Sequence, residues 1–510
     1  MTDRPLLDQP VAADPRLGEP DWQPGGGIDW RGLGGRLLLV ANVALAARYV
    51  IWLLQPGRPA NLGLFVLLVG AEMFNLVQGT GFWWTVSRIR PRRGAAPRIP
   101  VEVPVDVLIP TYDEPVEIVE PTVAAACRMR GRDVRVVLLD DGGRPEMAAM
   151  ARRHGVGYLA REGSEGAKAG NVNEALDHVD APFVAVLDCD HVPRPDFLEV
   201  CLAAFDDPRV AFVQTPQYYA NHAASGVATA SWDQQQLFFG TIARGRDRLG
   251  AMFCCGTNVV FQRRALEAAG GFSLDSLTED FELSVRMHEQ GWTTRYVPEV
   301  VASGLGPEDM SSYVSQQLRW ARGCLATLPR VVGARLGLRL RLQYLMSAAY
   351  WLTGWTLLVY MAFPIVRILT GEQPIDVSSP EEFLLHWGPY FVASMVTVGL
   401  AAGGRYRFSA FALMSASFWI HVVASLLTAA RRKGSFAVTP KQGATGRQIR
   451  PVLVPLAVCA GLAGVIVYGL AVDRSPATVT NASFALVHLV VIASGIRFAV
   501  LPGRPREAPG

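Results

Sequence analysis

Several short stretches of this 510-residue sequence end apolar runs with the residue types of phosphate and nucleotide chemistry. In 187-LDCDH-191, Asp188 and Asp190 stand just past the strand-like run 182-PFVAVLD-188. Carboxylates two positions apart there can hold a divalent cation through oxygen and leave positions for phosphate oxygens and water. The tripeptide alone is also a common surface pattern. Upstream, 139-LDDGG-143 closes another run with Asp140 and Asp141, carboxylates able to accept a base N–H beside glycines that permit close approach. The stretch 110-PTYDEP-115 adds Tyr112 and Asp113, and 166-GAKAGNVNEAL-176 sets Lys168 in a glycine-bounded turn before a helix. A lysine beside a helix N-terminus suits a diphosphate; a solvated surface charge is the plainer alternative. Only three lysines, Lys168, Lys433 and Lys441, occur among 48 basic residues.

Two further stretches lie downstream. In 277-LTEDFELSVRMHEQGW-292, Thr278 is an N-cap candidate, and Glu279 and Asp280 would fall in the first helical turn. Capping and the helix dipole account for both acids by themselves. In 316-QQLRW-320, Arg319 could neutralise a leaving phosphate and Trp320 could offer a flat face to a sugar ring. The alternative is an ordinary interfacial Trp/Arg pair.

The elements that must position these residues are legible. Short β runs at 105–110, 134–141, 156–160, 182–188 and 210–215 alternate with helix-length segments at 116–129, 145–154, 170–178 and 195–205. This rhythm predicts an α/β domain over 100–335 with a mostly parallel sheet and ligands at the carboxyl ends of its strands. Around it the chain is apolar: 50% of residues are hydrophobic and 18% charged. Two runs of near-spanning length fall within 36–87, two more within 343–402, one at 408–430 and two within 451–502.

Net charge is +3, which gives no case for a nucleic-acid partner. The seven cysteines show no metal-ligand spacing and read as reduced thiols. Residues 1–35, polar and rich in Pro and Gly, read as a disordered cytoplasmic tail. Arg88, Arg90, Arg92, Arg93 and Arg98 crowd the exit of the second run, so the charge rule puts the central domain in the cytoplasm. A spanning 408–430 would then leave the basic stretch 431–450 outside, against the same rule. The sequence therefore predicts six spans, with 408–430 lying in the cytoplasmic interface, 431–450 inside and a short cytoplasmic tail at 503–510.

Taken in order, PTYDEP, DDG, GAKAGN, DCDH, 253-FCCGT-257, TED, Q-x-x-R-W (Gln316, Arg319, Trp320) and 436-FAVTPK-441 resemble the processive family 2 glycosyltransferases, the cellulose synthase group. The resemblance runs from about residue 100 to 502. It implies a GT-A type transferase domain inserted between transmembrane helices, in a bacterial plasma (inner) membrane protein that extends a β-glucan from UDP-glucose. It further implies that Tyr112, Asp113, Asp140 and Asp141 bind the uridine diphosphate, that Asp188 and Asp190 hold Mg²⁺ or Mn²⁺, and that Lys168 and Arg319 meet the phosphates. Asp280 would be the general base, beside Glu279; Cys255, Gln316 and Trp320 would meet the sugars. Phe436, Val438, Thr439 and Lys441 would belong to a gating loop over the nucleotide. Implied partners are UDP-glucose, the growing glucan, membrane lipid and an accessory subunit outside the membrane. A C-terminal PilZ domain, frequent in members controlled by cyclic di-GMP, is not expected after 502. Rival readings are a β-1,3- or mixed-linkage glucan synthase, a non-processive transferase acting on a lipid carrier, and a transporter or scaffold that merely binds nucleotides.

Overall fold

The computed structural model describes residues 14–22, 28–90, 95–161, 163–377, 379–432 and 447–501. The gating-loop positions Phe436, Val438, Thr439 and Lys441 lie outside the described residues.

Ten strands occur among the described residues: β1 (Val105–Thr111), β2 (Val134–Asp140), β3 (Gly157–Ala160), β4 (Phe183–Val186), β5 (Val192–Pro193), β6 (Val210–Gln214), β7 (Tyr218–Tyr219), β8 (Val259–Gln262), β9 (Thr293–Tyr296) and β10 (Ala302–Gly304). Seven form one sheet in the order β3-β2-β1-β4-β8-β6-β9, and β5-β10-β7 form a small second sheet. The pairs β1–β2, β1–β4, β2–β3 and β6–β9 are parallel; β8 runs antiparallel between β4 and β6. The sheet is thus mostly parallel, as the sequence rhythm predicts, with one reversed strand.

Its near-continuous apolar strands follow from burial on both faces. Val107, Ile109, Val136, Leu138 and Ala185 point into one core. Their alternating neighbours Leu108, Val137, Leu139, Val184 and Val186 point into the other. Parallel pairing also aligns the ends: Thr111 lies opposite Asp140. The acidic stretches after β1, β2 and β4 consequently share one edge.

Seven helices of the described residues are long and apolar enough to cross a membrane: Leu33–Leu53, Leu62–Val86, Leu338–Thr370, Pro380–Ala401, Phe408–Ala429, Arg450–Val472 and Pro476–Val500. The sequence predicts six spans, and the extra candidate is 408–429. It is broken at Ser417 into Phe408–Ala416 and Phe418–Ala429. It differs from the others in burial: 56% of its most apolar stretch is buried in protein, against 28% or less for the rest. Two glycines permit this enclosure: a Cβ on Gly354 would meet the Phe418 carbonyl at 2.2 Å, and one on Gly495 the Ala412 carbonyl at 2.2 Å.

The tail expected over 1–35 also departs from its composition where it is described. Arg16, Trp22 and Trp30 are buried, and the first long helix already begins at Leu33. Two tryptophans bury enough apolar surface to anchor a chain otherwise rich in Pro and Gly.

Candidate active site

At the end of β2 the two acids are matched by arginines. Asp140 is fully buried and accepts from the amides of Gly142 (3.2 Å) and Arg144 (2.7 Å), from Arg144 Nε (3.1 Å) and from the Tyr158 hydroxyl (2.9 Å). Asp141 takes both arms of Arg161, Nε to Oδ1 and Nη2 to Oδ2, each at 2.9 Å. Burial lifts the Asp141 carboxyl above its ordinary range, and Arg161 opposes the lift. Tyr112 is 47% exposed and Asp113 is exposed beside it. Glu114, between them and the core, accepts from the Thr111 hydroxyl and the Tyr112 amide, each at 2.9 Å.

Lys168 sits in the first turn of the helix Ala167–Leu176, which begins three residues before the start at 170 that the sequence predicts. Gly166 (φ +70°) and Ala167 (φ +46°) make the left-handed entry that turns its side chain towards the edge of the sheet. The ammonium donates to Asp188 Oδ1 and to the Gly256 carbonyl at 2.6 Å. Burial would lower its pKa, but the charges of Asp188, Glu279 and Asp280 outweigh that and hold it above its usual value.

Gly256 is the meeting point. Its φ of +84° favours glycine, and a Cβ there would lie 3.0 Å from Asp280 Oδ2 and 3.7 Å from Lys168 Nζ. The surrounding FCCGT segment is clamped: the Cys254 amide donates to Ser284 Oγ and the Cys255 amide to Gln214 Oε1, each at 2.8 Å, and Gln217 Nε2 donates to the Cys255 carbonyl at 2.6 Å. Ser284 in turn donates to the Asp280 carbonyl at 2.7 Å. One chain of contacts therefore fixes the segment against the TED helix.

That helix, Glu279–Glu289, carries Glu279, Asp280 and Glu282 in its first turn and Arg286 and His288 in its last, complementing its dipole at both ends. Thr278 occupies the N-cap position, yet its hydroxyl makes no cap bond. Asp280 Oδ1 instead accepts from the Phe281 amide at 2.7 Å. Burial, then the neighbouring charge of Glu279, keeps the Asp280 carboxyl protonated well above the usual carboxylate range; Lys168 and Arg319 pull the other way. Burial also raises Glu279, against the same two cations.

Gln316, Arg319 and Trp320 lie on the helix Met310–Ala326. Gly323 lets this helix press on the TED cap, since a Cβ there would meet Thr278 Oγ1 at 2.5 Å. Arg319 is thereby close enough for its charge to act on both Glu279 and Asp280. Trp320 packs on the side towards the apolar helices, in a cluster with Trp351 and Ala424.

Asp188, Asp190 and His191 bring ligand atoms within 4.8 Å of one another. The His191 Nε2 is buried without a hydrogen-bond partner, and Nδ1 lies 3.3 Å from Asp190 Oδ1. The two carboxylates suit Mg²⁺ or Mn²⁺ and the imidazole favours Mn²⁺ of the two, so the residues present fit such an ion. Gly304 of β10 makes room for the ring: a Cβ there would fall 2.3 Å from Nε2. The sequence alone points to a ligand role only for the two aspartates of DCDH. The histidine adjoining the pair was the available signal. Arg161, Gly256 and Gly323 were missed because their importance depends on contacts between segments far apart in sequence.

Residues 183–427 match the family model described as glycosyl transferase family group 2. The catalytic subunit of cellulose synthase 1 (UDP-forming) from Komagataeibacter xylinus is 30% identical over 90% of this chain and 65% of its own length. Another K. xylinus protein, cellulose synthase 1, is 30% identical over 90% of this chain, which spans 31% of that longer protein. The cellulose synthase catalytic subunit (UDP-forming) of Pseudomonas fluorescens strain SBW25 is 31% identical over 94% of this chain and 69% of its own length. Among solved structures, a mannosyltransferase from Pyrobaculum calidifontis, in complex with GDP-Man and Mn²⁺, superposes with a TM-score of 0.52 at 18% identity, covering 71% of this chain and 99% of its own. That likeness gives the fold, a GT-A type glycosyltransferase domain, and the longer-range identity gives the lineage: the chain belongs to the family of the UDP-forming cellulose synthase catalytic subunits.

Proposed function

We propose that this protein is a processive inverting glycosyltransferase that builds a β-glucan, a cellulose-like β-1,4 chain, from UDP-glucose and passes it across the bacterial inner membrane. The observation that carries the reading is the convergence at Gly256, where Lys168 ties the DCDH turn to the FCCGT segment and Asp280 of the TED helix lies alongside. Phosphate-binding and proton-accepting groups thus adjoin, as direct displacement requires.

In this reading Asp280 takes the proton from the acceptor hydroxyl while that oxygen attacks the anomeric carbon. The bond to the diphosphate breaks, and UDP leaves with the electron pair. Lys168 and Arg319 face the charge that develops on it. A divalent cation held by Asp188, Asp190 and His191 would add positive charge to the same diphosphate. Attack opposite an α-linked leaving group inverts the centre and gives a β bond. Trp320 stacks on the acceptor end, a role its position beside Trp351 supports. Asp141 and the exposed Tyr112 and Asp113 receive the uridine; Asp140 holds the turn that presents them. Cys255 and Gln316 flank the sugars.

For the membrane, the reading keeps six crossings with the transferase domain in the cytoplasm and 408–429 as an interfacial element. Its support is enclosure: Phe408–Ala416 packs on the catalytic-domain helix Gly226–Leu237, and Phe418–Ala429 on Met310–Ala326. Buried Asp233 takes a two-armed bond from Arg407 at 2.9 and 3.1 Å at the first of these contacts. Residues 431–450 would then act as a cytoplasmic gating loop, with Phe436, Val438, Thr439 and Lys441 over the nucleotide.

The test is synthesis in purified membranes from radiolabelled UDP-glucose with Mg²⁺ or Mn²⁺, followed by linkage-specific digestion. An insoluble product cut only by β-1,4-glucanase is the expected result. Cleavage by β-1,3-glucanase keeps the mechanism and changes the polymer. Absence of any product from UDP-glucose overturns the substrate.

A further inference from the structure

The segment Asp14–Trp22 precedes the first long helix and plays no part in the chemistry just described, yet it is fastened at both ends to the transferase domain. At one end Arg16 is 4% exposed. Its Nη1 donates to the carbonyl of Ile118 at 2.9 Å and reaches the carbonyl of Asp190 at 3.4 Å. Ile118 lies in the helix that follows PTYDEP, and Asp190 is the second acid of DCDH, so one guanidinium ties together the segments after β1 and β4. Asp14 holds that guanidinium in place through Nε at 2.9 and 3.0 Å and through Nη2 at 2.5 Å.

At the other end Trp22 is 5% exposed and meets Trp232 edge-on, centroids 5.0 Å apart at 86°. Asp21 accepts from the Tyr218 hydroxyl at 2.6 Å and lies 3.4 Å from His222 Nε2. Tyr218 belongs to β7, which pairs with β10 at Ser303 and Gly304. Gly304 is the residue against which the His191 ring rests. The two anchors therefore bear on the DCDH turn by separate routes, one through the Asp190 main chain and one through β7, β10 and the His191 ring.

We propose that residues 14–22 are a strap that holds the metal- and donor-binding turn in register, with Arg16 its positioning residue. Arg16 binds main-chain oxygens and no reacting atom, so it acts by fixing where Asp190 and its neighbours point. Partners of this outer kind typically change metal affinity by about 10–100-fold when removed. A backbone carbonyl asks for a donor and not for a particular charge, so lysine should recover part of what alanine loses.

The proposal rests on the transferase reading above, and its test separates the two. Full-length Arg16→Ala, Arg16→Lys and Trp22→Ala proteins are compared with the parent for Mn²⁺ binding in the presence of UDP, by calorimetry, and for thermal unfolding. The strap predicts Mn²⁺ affinity about tenfold weaker in Arg16→Ala, with partial recovery in Arg16→Lys, a smaller loss in Trp22→Ala, and Tm close to the parent in the two Arg16 variants. In a synthesis assay the loss appears in the metal and donor concentrations needed for half-maximal rate and not in the rate at saturation. Wild-type Mn²⁺ and UDP binding in Arg16→Ala overturns the strap, as does a uniform fall in Tm that accounts for the weaker binding. A parent protein that binds UDP with Mn²⁺ but makes no glucan overturns the polymer reading, while the strap is still judged on the binding series.

Discussion

At the end of β2, Asp140 is held by the amide and Nε of Arg144 and Asp141 by both arms of Arg161, whereas around Gly256 the acids Asp188, Glu279 and Asp280 all act on Lys168. The first region is finished: its acceptors are filled, and it is shaped to be approached by a ligand without rearranging. The second is poised. Its three acids outnumber Lys168 and Arg319, and burial, with repulsion from Glu279 on Asp280 and from Asp188 on Glu279, holds Glu279 and Asp280 above the ordinary carboxylate range. Electrostatic strain of this kind costs stability and is kept where a proton must move or a cation must bind. The scaffold and the reaction centre thus differ in how their charges are balanced, although both are acidic and both lie at one edge of the sheet.

The sharpest break of that contrast is Asp280→Asn. Loss of the base should lower synthesis by about a thousandfold or more, while UDP binding with Mn²⁺ stays near the parent value because Asp188, Asp190 and His191 are intact. The same change should raise Tm slightly. A carboxyl whose folded pKa is raised binds its proton more tightly in the folded state. Its contribution to stability is therefore present at low pH and lost as pH rises through the folded value. Removing the ionisable group removes that loss at neutral pH. Activity runs the other way: the base works only when ionised, so rate should climb with pH across the raised value. A rate limb at an ordinary aspartate pKa, or an unchanged rate in Asp280→Asn, would take Asp280 out of the reaction.

Lys168→Met comes next, with a loss of about a hundredfold in rate, comparable to removing one preorganised donor. It also removes a charge that lowers the pKa of Asp280, so the rising limb of the pH profile should move to still higher pH. A profile that keeps its shape would mean the ammonium binds phosphate without tuning the base. Gly256→Ala should be milder. It forces a side chain into a left-handed backbone position at about 1–3 kcal/mol and brings a methyl to 3.0 Å from Asp280 Oδ2. Rate should fall about tenfold, with Tm lowered as well, and rate lost without any change in Tm would place the effect wholly at Asp280.

How much of this was legible in the sequence follows from which contacts are local. The strands carrying Asp140 and Asp188 were readable from apolar runs because both faces of the sheet are buried. The TED helix was readable from its end charges. Thr278 misled, since its type and position fit a capping hydroxyl while Gly323 brings the neighbouring helix against it. Trp22 and Arg16 were hidden in a Pro- and Gly-rich segment, because burial there depends on partners about 100 to 210 residues away. The same holds for Arg161: nothing in its own neighbourhood announces that it will fork onto Asp141. Position 408–429 shows the limit from the other side. Length and apolarity describe a span equally well whether lipid or protein encloses the helix, and only packing distinguishes them.

The smallest expected effect on rate belongs to the finished region, and it is the one that decides whether the contrast holds. Asp140→Asn keeps the shape of the side chain but turns one acceptor into a donor that faces either the Gly142 amide and Arg144 Nε or the Arg144 amide and the Tyr158 hydroxyl. Two or more of the four bonds to Asp140 would be lost inside a fully buried turn. The cost should be about 1–3 kcal/mol of stability, read as a Tm lowered by about 2–8 °C. Saturated rate should change less than about threefold, since the four bonds of Asp140 hold the turn and reach no group that takes part in the displacement. Asp141→Asn, whose Arg161 partner would be left with a weaker acceptor, should add a modest rise in the UDP-sugar concentration for half-maximal rate. If Asp140→Asn instead left Tm untouched and cut the saturated rate a hundredfold, the filled acceptors at the end of β2 would have to open during turnover. The two acidic regions would then be parts of one moving site and not a scaffold beside a reaction centre.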